Sequence, residues 1–133
     1  MIYTRNGVTH PLVCCEVNLS PLVDGQTDAA IATSGAANGF AFPFSGSLHS
    51  MTATLSAAVG AGALSIDVKI GSTQQGIDTA IGVADTVVSA IYPRGVYTFA
   101  AGQLIIPTYT SGTLTTNGNI TVRLWVLLDD AVN

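Results

Sequence analysis

Apolar and polar residues alternate through residues 63 to 71, Ala-Leu-Ser-Ile-Asp-Val-Lys-Ile-Gly. Leu64, Ile66, Val68 and Ile70 share one parity, and Ser65, Asp67 and Lys69 share the other. Successive side chains of a strand point to opposite faces, so this stretch predicts a half-buried strand with one apolar and one wet face. A helix would scatter the four apolar residues around its circumference. The pattern recurs over residues 119–129, where Ile120, Val122, Leu124, Val126 and Leu128 face one way and Thr121, Arg123, Trp125 and Leu127 the other. Over residues 47–57 it sets Met51, Ala53 and Leu55, with His49 on the same parity, against Ser50, Thr52 and Thr54.

Shorter strands are expected over residues 12–19, 77–81, 86–91, 96–100 and 103–110. Phe40, Phe42 and Phe44 alternate with Ala41 and Pro43, which predicts a core strand. Proline donates no ladder hydrogen bond, so Pro43 puts that strand at an edge or at its end, and Pro107 argues for an edge or a bulge in its own strand. Residues 28–34 read equally as strand or short helix. Glycine- and serine-rich connections intervene, with residues 58–62 expected to make a hairpin and Pro93 placed for a tight turn. Strands this short, with turn signals every ~8 to 12 residues, are the signature of a sandwich or barrel. The fold class expected is all-β, a single antiparallel β-sandwich over residues 27–133. Residues 1–26 are less regular, with turn signals at Asn6-Gly7 and Asp24-Gly25. They read as an N-terminal arm with one strand, packed on a neighbouring subunit, or as the ordinary first strand of the sandwich.

Composition adds a constraint on surroundings. The chain of 133 residues is 48% hydrophobic but only 9% charged, against about a quarter charged in an ordinary soluble domain. A surface so poor in charge tolerates close neighbours, which hints at a protein that lives assembled. The formal net charge is −4, and the four basic residues, Arg5, Lys69, Arg94 and Arg123, are dispersed. Nucleic acid and anionic membranes are therefore not expected as partners. No apolar run approaches the ~20 residues of a membrane span, and the first residues do not read as a signal peptide.

Candidate chemistry is sparse. Catalysis needs a nucleophile, a base and an orienting group, or a metal cluster. His10 and His49 are far apart in sequence and belong to no metal-ligand spacing; His49 reads as a core or interface residue and His10 as exposed. Cys14 and Cys15 are adjacent, point to opposite faces of a strand and read as free thiols. The eight acids fall mostly in turns or on wet faces, and Asp129-Asp130 reads as a solvated tail sooner than as part of a calcium site. Gly60-Ala-Gly62 precedes a strand, which is the wrong context for a phosphate loop. No enzyme activity, cofactor or metal is expected.

One feature stands out. Trp125 and Leu127, with Ile105 and Tyr109, lie on the parity opposite to the better core face of their strands. Large apolar residues on an outer face predict a second buried surface, either a subunit or shell interface or a wider core.

Several stretches resemble accessory β-sandwich domains of tailed-phage virions, of the kind found in capsid cement (decoration) proteins and in head or tail fibres. They are Phe-Ser-Gly-Ser-Leu-His-Ser-Met-Thr-Ala-Thr-Leu at 44–55, Leu-Ser-Ile-Asp-Val-Lys-Ile-Gly at 64–71, Phe-Ala-Ala-Gly-Gln-Leu at 99–104 and Asn-Ile-Thr-Val-Arg-Leu-Trp-Val-Leu at 119–127. The resemblance spans about residues 40–128. It implies a jelly-roll-like sandwich, a homotrimer, and a binding role on the capsid surface against the major capsid protein or other virion proteins. The chain would then be made in the host cytoplasm and reside in the virion. A neck, tail or fibre component is the alternative within that class. A carbohydrate-binding module is the alternative from another class, with Trp125, Tyr92, Tyr97 and Tyr109 as its candidate aromatic platform.

Overall fold

The computed structural model describes the backbone of residues 2–5, 8–31 and 39–129, and the side chains of residues 11–31 and 39–129. Among the described residues, eleven strands form two antiparallel sheets packed as a β-sandwich, and no helix occurs. The strands are β1 (Ile2–Arg5), β2 (Val8–Leu19), β3 (Ala29–Ala30), β4 (Gly46–Leu55), β5 (Leu64–Ile70), β6 (Thr73–Gln74), β7 (Thr79–Ala80), β8 (Val87–Ile91), β9 (Thr98–Phe99), β10 (Ile105–Ser111) and β11 (Ile120–Leu128). The larger sheet runs β1-β2-β11-β4-β8, with β9 also paired to β4. The smaller runs β3-β10-β5-β6, with β7 also paired to β5.

Alternation builds the core. Leu64, Ile66, Val68 and Ile70 of β5 face Ile120, Val122, Leu124 and Val126 of β11, together with Met51 and Ala53 of β4, and all are buried in one cluster. Each of these side chains except Ala53 contributes about 1.5–3 kcal/mol on leaving water. The loop over residues 56–63 crosses from the larger sheet to the smaller, so it is no hairpin, and it plugs one end of the core with the buried Val59. Gly46 is forced by packing, since any side chain there would strike the Leu127 carbonyl and the Phe99 ring.

Three expectations are corrected, and one choice left open is decided. Of the two readings of the first segment, the strand of the sandwich itself holds for Leu12–Leu19, which pairs with β11 residue for residue, and Leu22 is core. What extends past β11 is the β1–β2 hairpin, in which Ile2–Arg5 pairs with Val8–Pro11. The phenylalanine run is no strand: Phe40 makes a single bridge to Ile105, Phe42 packs half-buried against the core and Phe44 is exposed. Pro107 lies in a central strand without a register break. Its carbonyl accepts the Ile31 N–H (2.8 Å) just past the end of the two-residue β3, so its missing N–H falls where no ladder bond is needed. His49 leaves the apolar parity because β4 bulges there: Trp125 pairs with Ser50 and Val126 with Leu48, so His49 is the extra residue and the face switches from Met51 to Leu48. The readings of the 32–34 segment, of the His10 side chain and of the last four residues fall outside the described residues.

Candidate functional site

The outer face of the larger sheet is organised in rungs that cross β2, β11, β4 and β8. One rung is Cys14, Trp125, Ser50 and Ile91; the next is Glu16, Arg123, Thr52 and Ser89; the third is Asn18, Thr121, Thr54 and Val87. The second and third rungs are mostly polar. Arg123 Nε donates to Glu16 Oε2 at 2.9 Å, and the Thr121 hydroxyl donates to Asn18 Oδ1. The first rung is mostly apolar, with Trp125 half-buried, Cys14 exposed and Ile91 84% exposed.

Trp125 is thus on the outer face, as its parity predicts. Leu127 is on the same face but is buried beside Leu12, its partner across the ladder. Ile105 and Tyr109 are corrected. Both point inward opposite Ile70 and Ile66 and are buried in the chain's own core, so neither offers a surface. Proline on the same parity as these two masked the inward face of β10 in the sequence. Two residues that sequence reasoning passed over, Val87 and Ile91, complete the outer apolar surface. Their signal was their parity opposite Val88 and Ala90, which face the core.

The outer face of the smaller sheet is different. Asp67, expected on a wet face, is 4% exposed. Its Oδ1 accepts the N–H groups of Val68 (2.7 Å) and Ile77 (3.2 Å), and its Oδ2 that of Gly76 (3.2 Å). The loop after β6 folds back over the sheet and is tied down by this carboxylate. Beside it, the buried Thr108 hydroxyl donates to Gln74 Oε1 (3.1 Å). Asp67 is a structural hub.

The remaining chemistry is arranged for packing. The Cys15 thiol is pushed up to about 11 by burial, then by its neighbour Cys14, and burial is also the largest cause raising Cys14. Neither thiol is activated. Cys14 is two strand spacings from β4, about 10 Å, and His49 there bonds through Nδ1 to Ser50 Oγ (2.9 Å). Tyr92 is buried with no hydrogen-bond partner for its hydroxyl among the described residues, and burial followed by the Asp67 charge drives its phenol far above the ordinary range. Tyr97 packs edge-on against Tyr92 at 5.7 Å, and the Tyr109 hydroxyl accepts the Val23 N–H at 3.3 Å. With Tyr92 and Tyr109 buried, the four aromatics do not form an exposed carbohydrate platform. Among the described residues no group of three or more His, Cys, Asp or Glu side chains could hold a metal ion. Asp129 accepts a hydrogen bond from the Ser45 hydroxyl (3.0 Å).

No protein-family model matches the chain, and a search of curated proteins finds no match.

Proposed function

We propose that this chain is a structural protein of a phage virion, acting as a capsid cement protein that bridges neighbouring units of the head shell. The observation that carries the reading is the apolar end of the larger sheet's outer face, where Trp125 and Ile91 lie on a surface that the chain's own loops leave partly bare. Desolvating such a rung is favourable only against a partner, and a surface with few charges has little to lose on contact. The resemblance of residues 40–128 supplies the context, and with it the expectation of contacts with the major capsid protein. Attachment by several copies at once makes weak single contacts add through effective concentration.

The test is co-sedimentation of the purified chain with DNA-emptied capsid shells, beside Trp125→Ser. Binding to shells that the substitution weakens at least tenfold is the expected result. Sedimentation with isolated tails or fibres but not with shells would move the chain to the neck, tail or fibre. Binding to none of these particles would overturn the virion reading.

A further inference from the structure

Among the described strands, β8 ends the larger sheet and pairs on one side only, with β4. The Thr86 carbonyl accepts the Leu55 N–H and the Tyr92 N–H donates to the His49 carbonyl, so the even-numbered residues of this strand turn their backbone groups toward β4. Alternation sends the N–H and C=O groups of Val87, Ser89 and Ile91 the other way, where no strand among those described receives them. Natural edge strands are guarded by charge, proline or a bulge. Residues 86–92, Thr-Val-Val-Ser-Ala-Ile-Tyr, hold no charge and no proline, and the β4–β8 register runs unbroken. Val87 is 60% and Ile91 84% exposed on the outer face, with Ser89 between them.

We infer that this edge receives β8 of a second copy of the chain, antiparallel, about a two-fold axis through Ser89. Only registers that set odd residues opposite odd residues let the outward groups exchange bonds, and the Ser89-centred register uses all three residues of each copy. It places Val87 opposite Ile91 of the second copy, twice, so each exposed apolar side chain covers another. Inside, Val88 meets Ala90 of the second copy and the two cores become continuous. Charge selects the orientation: Asp85 precedes the strand and Arg94 follows it, so an antiparallel pair brings the acidic end of one copy to the basic end of the other at both ends. A parallel pair would set like ends together. The occupant is a second copy because the strand complements itself in sequence, in bonding groups and in charge. Five residues a side make a small interface, so association is weak and concentration-dependent. The inference does not depend on the virion reading, and it replaces the three-fold contact implied by the resemblance with a two-fold one.

Sedimentation equilibrium of the whole chain, from about micromolar to about millimolar, should show the average mass rising toward two chains. Ile91→Lys, at a site too exposed to matter for folding, should raise the dissociation constant at least tenfold, whereas Asn18→Lys on the far strand should leave it unchanged. Asp85→Arg should weaken the dimer, and adding Arg94→Asp should restore it. A bonded antiparallel pair holds its Cα atoms about 5.5 Å apart, within reach of a disulfide. Ser89→Cys combined with Cys14→Ser should therefore oxidise to a covalent dimer. A chain that stays monomeric throughout, a trimer, or a dimer indifferent to Ile91→Lys would each overturn the proposal, while shell binding could persist in all three cases.

Discussion

The outer faces of the two sheets are opposites. On the smaller sheet, polar residues sit under the chain's own loop, with Asp67 accepting three backbone N–H groups and Thr108 bonded to Gln74. On the larger sheet, apolar residues stand at a partly bare surface and end in the unguarded strand β8. A buried polar group that is fully partnered is explained by the fold alone. An exposed apolar rung is not, and the contacts proposed above would account for it. The same strand pattern thus yields a sealed face and an open one, and the proposed contact function belongs to the open one.

That contrast can be broken by substitution. Asp67→Ala takes the acceptor from three backbone N–H groups, that of the buried Val68 among them, and should cost about 3 kcal/mol in denaturant titration, because hydrogen bonds to charged groups are the strong ones. Thr108→Val, which removes one neutral bond, should cost about 1 kcal/mol by the same measurement. Tyr92→Phe should cost nothing and stabilise by up to about 1 kcal/mol, since the hydroxyl it deletes is buried without a partner among the described residues. On the open face, Ile91→Thr should change the stability of the single chain by less than about 0.5 kcal/mol, because that side chain is already in water. Arg123→Gln should change it by no more than that. Its ion pair with Glu16 joins side chains that are 50% and 46% exposed, where solvent screens most of the attraction. A large loss at Ile91 or a negligible one at Asp67 would erase the distinction between the faces.

Much of the fold was legible in advance. The alternation in β5 and β11 is a local consequence of the pleat, and it identified their inward residues and set Trp125 outward. The phenylalanine run failed because alternation describes side chains only, and Phe42 and Phe44 have no neighbouring strand to bond. The outer-face reading of Ile105 and Tyr109 failed because parity names two faces without saying which is the core. In β10 both faces carry bulky residues, and only the opposing sheet decides.

The sequence by itself determined that this is an all-β chain of short strands, poor in charge, with its apolar residues in period two, because those properties depend on neighbours along the backbone. Only the tertiary structure decided that Asp67 is buried, that β4 bulges at His49, and that Leu12–Leu19 pairs with β11 inside the sandwich. It alone left Val87 and Ile91 on an edge that no other described strand pairs. Each of these depends on which strand lies alongside and which loop folds over, and those contacts join residues far apart in the chain.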